Sequence, residues 1–387
     1  MDRAGFLLSV AALDGISALP QARVPGNAIA PYGVPSKFES GVVRTPRDAV
    51  DVAYSPIGQQ TGIVTPNGLF FTRNHAGVPT IDPRTHRLLV DGLVKHPLTF
   101  SVEDLMRFPS VSRMHFLECA GNSSGEWQVA RAPDIQRSHG LVSCCEWTGV
   151  PLRYLLAEVA PATEARWVLA EGADAAAYDR SIPLEKLLDD ALIAYGQNGE
   201  LLRPEQGFPL RLVLPGFEGS ANIKWLRRLH VGREPWYTRE ETADYTELLP
   251  GGRSRAFTFV MDAKSVITFP SAGTRLVKPG YHELRGFAWS GRGRVKSVEV
   301  SLDGGTTWSQ ATLQDPIVPK CFTRFTHDFV WDGRETIVQS RATDETGYVQ
   351  PTHKRLVQAR GYFSEYHNNA IAPWKIGRDG TVSDTRA

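Results

Sequence analysis

The chain has 387 residues, which is enough for two or three domains that each bury a core of their own. Hydrophobic residues make up 42% and charged residues 22%, proportions that are ordinary for a globular protein. The net charge of +1 excludes a global field that would attract nucleic acid or an anionic membrane. No apolar run reaches the length of a membrane span, so we expect no transmembrane segment.

Residues 1–60 do not have the pattern of a folded domain. One arginine, an apolar run at residues 6–13 and a small-residue end near Ala22 resemble the remainder of a secretory signal of the twin-arginine type. This pattern predicts a periplasmic protein. The arginine pair is missing and Asp14 interrupts the apolar run, so a disordered tail is the alternative. Prolines recur at residues 25–66 without a period, which predicts an extended arm.

Residues 61–240 mix short strands with short helices. RLLVDGLV, WVLAEG and LRLVLPG are typical of strands, and IPLEKLLDD is typical of a short helix. SVEDLMRF predicts a helix with Ser101 as its N-cap and Asp104 completing a capping box. PLRYLLAEV places four apolar residues at helical spacing. This irregular mixture predicts an α+β domain.

After a polar connection, residues 250–362 have an all-β pattern. VKSVEVSLDGGTTW alternates Val298, Val300 and Leu302 with polar residues and then reaches a turn at residues 303–305. Further strands with turn residues at their ends follow, so we expect an immunoglobulin-like β-sandwich. Residues 363–387 form a tail that we expect to pack back onto the body, because Trp374 should not be left exposed.

The four cysteines form neither a disulfide framework nor a zinc pattern. Cys119 stands between the apolar lead of FLECAGNSSGEW and a run of small residues, where backbone can approach a bound group closely. Cys144 and Cys145 are adjacent, too close for ordinary disulfide geometry, and we interpret them as small buried side chains. No Cys-x-x-Cys-His sequence occurs, so we expect no c-type haem on this chain.

Other polar residues occur in turns or inside apolar strands where a core would not favour them. Alone, each has an ordinary explanation, such as a surface ion pair for Arg73 or a core histidine for His75. Cations, hydroxyls and amides near glycine turns are what a phosphorylated cofactor needs. The residues concerned are Arg73, Asn74, His75, Tyr195, Arg211, Ser220, Asn222 and Lys224.

Several stretches resemble, in order, the signatures of the sulfite oxidase family of molybdenum enzymes. They are Arg-Asn-His at 73–75, Cys-Ala-Gly-Asn at 119–122, GFPLRLVLPG at 207–216, IKWL at 223–226, and AWSGRGR with VSLDGGTTW at 288–308. GIVTPNGLFFTRNHAGVPTIDP and YHNNAIAPWKI are similar to one branch, the molybdoprotein subunits of bacterial sulfane dehydrogenases in the thiosulfate-oxidising Sox system. The resemblance implies a mixed α+β molybdopterin-binding domain followed by an immunoglobulin-like domain that often joins subunits.

The resemblance also implies roles for individual residues. The Cys119 thiolate would bind molybdenum beside the two dithiolene sulfurs of one molybdopterin per chain, and a soft thiolate suits such a metal. Arg73 would line the cofactor near the metal, Tyr195 would donate a hydrogen bond beside the metal, and Arg294 would reach the substrate anion from the second domain. The implied cofactor-binding residues are Arg73, Asn74, His75, Cys119, Asp174, Arg211, Ser220, Asn222 and Lys224.

The implied activity is oxidation of carrier-bound sulfane sulfur, with electrons passed to a separate c-type cytochrome subunit in a homo- or hetero-oligomer. Sulfite oxidases follow Cys-Ala-Gly-Asn with arginines, where this chain has Ser123 and Ser124. We expect this loss of charge to favour a substrate tethered to a sulfur-carrier protein, and an arginine at Ser123 to improve sulfite turnover. The alternatives are a free sulfite dehydrogenase that uses cytochrome c and a non-catalytic binding or assembly protein on the same fold.

Overall fold

The computed structural model describes residues 29–47, 49–128 and 134–385. The chain divides into two compact units, residues 1–41 and residues 42–387. The described part of the first unit contains one 3₁₀ turn, Lys37–Glu39, in which the Ser36 hydroxyl accepts a hydrogen bond from the Phe38 amide at 3.3 Å. The predicted secretory signal lies outside the described residues.

The described residues of the N-terminal domain form twelve strands and four helices. The strands are β1 (Val52–Ala53), β2 (Thr72–Arg73), β3 (Arg87–Gly92), β4 (Leu98–Ser101), β5 (Val111–Glu118), β6 (Val142–Pro151), β7 (Trp167–Gly172), β8 (Asp179–Pro183), β9 (Leu192–Gln197), β10 (Glu200–Leu201), β11 (Arg211–Val213) and β12 (Leu226–Gly232). The helices are α1 (Val102–Met106), α2 (Ile135–His139), α3 (Leu152–Val159) and α4 (Leu184–Asp189). Short 3₁₀ turns lie at Ile57–Gln59, Asn67–Leu69, Ser124–Gln128, Pro204–Gln206 and Gly219–Ala221.

Two five-stranded sheets form the body of this domain. One has the order β10-β9-β6-β5 with β11 also paired to β9, and the other has the order β4-β3-β12-β7-β8. All pairs are antiparallel except β3 with β12. Sheets and helices together confirm the predicted α+β class.

The local signals in the sequence explain how several of these elements begin. The Ser101 hydroxyl accepts a hydrogen bond from the Asp104 amide at 3.0 Å, and the Asp104 carboxylate accepts one from the Ser101 amide at 3.0 Å. This capping box fixes the first turn of α1 and is the one predicted. In α3 the apolar residues at helical spacing are all buried, as expected for one face of a helix packed on a core.

A short connection and a β-sandwich complete the chain. The connection contains α5 (Arg239–Ala243) and the hairpin β13 (Glu247–Leu249) with β14 (Arg253–Arg255). The C-terminal domain contains β15 (Lys264–Phe269), β16 (Gly280–Trp289), β17 (Val295–Ser301), β18 (Ser309–Gln310), β19 (Thr312–Gln314), β20 (Thr323–Trp331), β21 (Thr336–Asp344), α6 (His353–Arg360), β22 (Trp374–Ile376) and β23 (Val382–Asp384).

The two sheets of the C-terminal domain have the orders β15-β16-β20-β19 and β18-β17-β21-β22-β23. Val298 and Val300 of β17 are buried, which confirms the predicted alternation, and Gly304 and Gly305 take positive φ at the turn that follows. Trp374 is fully buried, and its indole N–H donates to the Ile267 carbonyl at 2.9 Å. The tail therefore adds two strands to the sandwich and closes its core.

The two domains share one apolar core. Phe116 of β5 and Cys144 of β6 belong to the same buried cluster as Trp289, Phe325 and Trp374 of the C-terminal domain. The C-terminal domain therefore packs against the strands that lead to Cys119. Among the described residues, no helix has the length and hydropathy of a membrane span.

Candidate active site: a cavity with one thiol and several cations

One cavity collects side chains from segments that are far apart in sequence. They follow or begin strands β2, β5, β7, β11 and β12, so the strand ends of both sheets bring them together. The lining residues are Phe71, Thr72, Arg73, Asn74, His75, Cys119, Asp174, Tyr178, Gln206, Arg211, Gly219, Ser220, Asn222, Ile223, Lys224, Trp225 and Tyr245. This set includes every residue that the sequence assigned to cofactor binding.

Cys119 follows the last residue of β5 and is partly buried. Its amide donates to the Leu141 carbonyl at 2.9 Å, and its carbonyl accepts from the Asn122 amide at 2.9 Å, so its backbone is held on both sides. Burial raises the pKa of the thiol, although the Gly121 amide and the Arg73 charge act in the opposite direction. The free thiol is therefore protonated at neutral pH, and a bound metal would be needed to hold it as thiolate.

A glycine brings a second segment against this thiol. A Cβ on Gly219 would lie 3.0 Å from the Glu118 carbonyl oxygen and 3.3 Å from the Cys119 Cα. No larger residue fits there without moving the backbone. The 3₁₀ turn that carries Ser220 therefore lies directly beside the Cys119 backbone.

Arg211 is the most informative cation in the cavity. Its side chain is buried, it donates to the Gln206 carbonyl at 3.0 Å and to Gln206 Oε1 at 3.1 Å, and its guanidinium carbon lies 5.2 Å from the Trp147 ring centre. Its Nε has no hydrogen-bond partner in the described protein. Burial lowers the pKa of Arg211 to about 10, so the side chain remains charged at neutral pH. Within the described residues Arg211 forms no ion pair, and a buried cation without a carboxylate partner of its own calls for an anionic ligand.

Lys224 lies beside Arg211 and is surrounded by neutral oxygens. Its ammonium donates to the Arg73 carbonyl at 3.0 Å, to the Glu205 carbonyl at 3.1 Å and to the Asn74 side-chain oxygen. Burial, and then the charge of Arg211, hold the pKa of Lys224 well below its usual value. An anion in the cavity would raise that pKa.

The remaining predicted residues line the cavity in different ways. Asp174 is buried and accepts a hydrogen bond from the Tyr178 amide at 3.0 Å. Asn222 lines the cavity with its side chain already engaged, because Oδ1 accepts from the Leu214 amide at 2.6 Å and Nδ2 donates to the Glu218 carbonyl at 2.8 Å. Asn222 therefore shapes the loop, and its free hydrogen-bonding capacity is small.

His75 and Arg73 stand near the cavity rim. The His75 ring packs 4.6 Å from the Tyr178 ring, and its Nδ1 lies 3.6 Å from Glu240 Oε2. Burial, and then the Arg73 charge, lower the pKa of His75, so the imidazole is neutral at neutral pH. Arg73 is half-exposed and lies 3.8 Å from the Asp51 carboxylate.

Two predicted catalytic residues lie elsewhere. Tyr195 of β9 shares the strand face of Ile193 and packs against the apolar core of the N-terminal domain, because alternate residues of a strand point to opposite faces. Arg294 lies in the turn before β17, half-exposed, with Nη1 3.8 Å from the Glu345 carboxylate. Its side chain is directed to that surface carboxylate, and it does not line the cavity. The structure therefore does not bring Tyr195 or Arg294 into the cavity that contains Cys119.

Tyr245 and Tyr178 both line the cavity and neither was indicated by the sequence; Tyr245 comes from the connection between the domains. It follows α5 in the polar connection, its ring packs 5.1 Å from the Tyr366 ring, and the Arg180 guanidinium carbon lies 4.5 Å from its ring centre. Burial raises the pKa of Tyr245, so its hydroxyl remains a hydrogen-bond donor. Only its isolation as an aromatic residue in a polar segment, ETADYTELLP, could have drawn attention to it.

A buried network of ion pairs holds two of the segments that line the cavity. Arg180 donates to the Glu218 carboxylate at 2.9 Å and to the Ser220 hydroxyl, and His367 lies 2.8 Å from the other Glu218 oxygen. Burial alone would raise the pKa of Glu218, but Arg180 and His367 outweigh it and lower that pKa. The His367 amide also donates to the Ala120 carbonyl at 2.8 Å. The C-terminal tail thus holds the residue next to Cys119.

A second buried network joins the C-terminal domain to the Cys119 turn. Lys264 of β15 donates to the Glu118 carboxylate at 3.1 Å and to the Ser123 hydroxyl at 2.7 Å. The Glu118 carboxylate also accepts a hydrogen bond from the Asn122 side-chain nitrogen at 2.8 Å and one from the Trp289 indole nitrogen at 2.7 Å. The residue before Cys119 and the residue four positions after it are therefore fixed by one side chain of the other domain.

The residues of the cavity fit a molybdopterin. The orphaned Nε of Arg211, with Lys224 beside it, suits the phosphate, and the buried Asp174 suits the nitrogens of a pterin ring. Cys119 supplies a thiol, the ligand type that suits a metal already bound by sulfur.

Comparisons with known protein families agree with this fit. Residues 75–239 match the family model described as oxidoreductase molybdopterin binding domain, and residues 255–373 match the Mo-co oxidoreductase dimerisation domain. Chicken sulfite oxidase is 35% identical over 315 residues, 74% of this chain and 68% of the relative. The chain belongs to the sulfite oxidase family of molybdopterin enzymes.

Other members of the family differ in length from this chain. Mouse mitochondrial sulfite oxidase is 35% identical over 318 residues, and the match spans 58% of that protein. Tomato NADH nitrate reductase is 33% identical over 330 residues, and the match spans 36% of it. The chain thus spans little more than half of the mouse enzyme and about a third of the plant one.

A solved structure matches along nearly the whole chain. The crystal structure of the sulfane dehydrogenase SoxCD from Paracoccus pantotrophus superposes with a TM-score of 0.92 at 44% identity. The match covers 95% of this chain and 97% of that one. The fold and the pairing of a molybdopterin-binding domain with a β-sandwich are therefore shared.

Proposed function

We propose that the protein is a molybdenum-dependent oxidoreductase that oxidises sulfane sulfur carried as a cysteine persulfide on a carrier protein. The similarity to sulfane dehydrogenase SoxCD across 95% of the chain is the observation that carries this proposal. Electrons pass to a c-type cytochrome subunit, and the enzyme works in the periplasm. Each chain holds one molybdopterin and no haem.

The chain's residues divide into those that hold the cofactor and those that serve the substrate. Arg211 and Lys224 hold the cofactor phosphate, Asp174 binds the pterin, and Cys119 binds the metal as thiolate. When bound, molybdenum supplies two-electron oxidation of sulfur with transfer of an oxygen atom. Because the thiol alone is protonated, its ionisation depends on the metal.

Tyr245 is the hydrogen-bond donor beside the reacting sulfur. Burial keeps its hydroxyl protonated, so it can donate to an oxyanion that develops during oxidation. The neutral His75 at the rim accepts or donates a hydrogen bond without adding charge. Arg73 supplies the positive charge that guides an anionic substrate to the cavity.

Ser123 and Ser124 bear on the choice of substrate. Ser123 is buried and accepts a hydrogen bond from Lys264, so an arginine there would break that network and should not improve sulfite turnover, contrary to the prediction from the sequence. Ser124 is exposed in the next turn and can accept an arginine without that cost. Free sulfite is a dianion, and this turn offers it no side-chain cation.

A free sulfite dehydrogenase is the second candidate, favoured by the similarity to the animal sulfite oxidases. Reduction of ferricytochrome c by the holoenzyme separates the two. We expect rapid reduction with a persulfide-loaded carrier protein and slow reduction with sulfite alone. Ser124→Arg should raise kcat/KM for sulfite, whereas the matched surface variant Ser112→Arg on β5 should not. Faster turnover of sulfite than of the loaded carrier by the wild type would replace the first proposal with the second.

Association with other subunits is part of the same proposal. The dimerisation-domain match at residues 255–373 supports a homo- or hetero-oligomer built through the β-sandwich. Light scattering of the purified chain with and without the cytochrome subunit measures this. A monomer in both cases would contradict it.

A further inference from the structure

Two buried thiols from different domains lie against each other. Cys144 is on β6 of the N-terminal domain, and Cys321 precedes β20 of the C-terminal domain. Their sulfur atoms are 3.2 Å apart, and the two residues are separated by 177 positions in the chain. Both side chains are buried. A disulfide has a sulfur–sulfur distance of about 2 Å, so a shift of about 1 Å would bring them to bonding distance.

The backbone on each side is held in place. The Thr65 amide donates to the Cys144 carbonyl at 2.7 Å, and the Thr65 hydroxyl accepts from the Cys144 amide at 3.2 Å. On the other side, the Phe116 amide donates to the Lys320 carbonyl at 3.0 Å. Cys321 is therefore attached to β5 through its neighbour, three residues before Cys119, while Cys144 lies on the adjacent strand β6. The fold itself presents the two thiols to each other.

Cys145 provides the internal comparison. It is equally buried, but its side chain lies on the other face of β6, where its sulfur is 3.4 Å from the side-chain nitrogen Nε2 of Gln197. Adjacent residues of a strand point to opposite faces, so only one cysteine of the pair can meet Cys321. Only Cys144, and not Cys145, is therefore placed to form a disulfide with Cys321.

We propose that Cys144 and Cys321 form a disulfide that joins the two domains beside the strand leading to Cys119. Two thiols lose two protons and two electrons as the sulfur–sulfur bond forms. The oxidant is a disulfide-bearing thiol oxidoreductase of the periplasm, where the proposed function places the protein, and its disulfide is reduced to two thiols. Exchange proceeds through a mixed disulfide with one cysteine, which the other then displaces. Because both sulfurs are buried in the folded chain, the exchange requires transient opening of the contact between the domains.

Differential alkylation of the exported holoenzyme tests the proposal. The protein is denatured in iodoacetamide, then reduced and labelled with N-ethylmaleimide, and the peptides are assigned by mass spectrometry. We expect N-ethylmaleimide on Cys144 and Cys321 and iodoacetamide on Cys145. Iodoacetamide on all three would overturn the proposal. This readout does not involve activity, so it is independent of the proposed function.

Thermal unfolding adds a second test that does not depend on labelling. Cys144→Ser and Cys321→Ser should lower Tm by equal amounts, and the double variant should lower it no further, because each change removes the same bond. Reductant should lower the Tm of the wild type and of Cys145→Ser, and it should leave the double variant unchanged. Additive losses from the two single variants, with no effect of reductant on the wild type, would contradict the disulfide.

Discussion

Replacing Lys264 by methionine should destabilise the protein and loosen the Cys119 turn. Lys264 is almost fully buried, and its ammonium is the cation that contacts the Glu118 carboxylate, at 3.1 Å. Methionine keeps the length and volume of the side chain but removes the charge. Glu118 then keeps its hydrogen bonds from Asn122 and Trp289 and loses its counter-charge.

The magnitude follows from the cost of a buried charge without a partner. Removing one partner of a buried ion pair costs about 3–5 kcal/mol, whereas removing both charges is often close to neutral. Lys264→Met should therefore lower the free energy of unfolding by about 3–5 kcal/mol. Adding Glu118→Gln should recover part of this loss, because glutamine carries no charge and its single side-chain oxygen still accepts a hydrogen bond from either Asn122 or Trp289.

Guanidinium-induced unfolding of the holoenzyme at pH 7 measures these differences. Lys296→Met on β17, in the other sheet of the sandwich, is the matched control, since Lys296 is exposed and its loss should change stability by no more than about 0.5 kcal/mol. Molybdenum per chain should also fall in Lys264→Met and not in the control. A loss of stability in Lys264→Met no larger than in Lys296→Met would refute the reasoning from the buried pair.

Three further outcomes are expected. Arg211→Met should lower the pterin retained per chain about tenfold or more, because a charge-assisted hydrogen bond to the cofactor phosphate worth about 1.5–3 kcal/mol is lost. Pterin fluorescence per chain measures this, and unchanged pterin would contradict the assignment of Arg211 to the phosphate. Tyr245→Phe should lower kcat about 100-fold with molybdenum unchanged, while Tyr195→Phe has little effect; the opposite pattern would restore the assignment made from sequence. Burial lowers the pKa of His115 to about 4, whereas the histidine of the unfolded chain titrates near 6.5. The unfolded chain therefore binds this proton more readily than the folded protein, and up to about 3 kcal/mol of stability is lost as pH falls from 6.5 to 4. His115→Gln should show a flatter pH dependence of stability in that window, and identical profiles would exclude this group.

Features encoded locally could be predicted from the sequence. The capping box of Ser101 and Asp104 and the alternation of Val298 and Val300 depend on residues a few positions apart, so the pattern already contains the physics. The apolar residues of α4 show where local pattern stops, since Leu184 and Leu187 are buried but Leu188 is exposed in the last turn of that short helix. A six-residue helix leaves the direction of its final residues to tertiary packing.

A site residue could be predicted only where its neighbours in the sequence already make it unusual. Arg211 and Lys224 could be suspected because a cation inside or beside an apolar strand needs a partner. Tyr245 could not, because its place depends on how the connection after α5 folds over Arg180, and nothing in the surrounding residues encodes that contact. Arg294 illustrates the converse case, since Glu345 from another turn competes for its charge and only the fold brings the two together.

The contacts that hold the Cys119 turn could not be predicted from the sequence for a different reason. Lys264 and His367 reach the Cys119 turn from the C-terminal domain and the tail, more than 100 residues away. Their contacts have no fixed spacing, so a pattern search cannot find them. They are nevertheless the contacts that fix the backbone on which the thiol stands.

X-ray absorption at the molybdenum edge, with molybdenum content per chain, tests the thiol–metal bond directly. In the wild type we expect about one molybdenum per chain with three sulfur neighbours, two from the pterin and one from Cys119. Cys119→Ser should retain pterin, show two sulfur neighbours and lose turnover. The same sulfur shell in wild type and Cys119→Ser would contradict the assignment of this residue as the metal ligand.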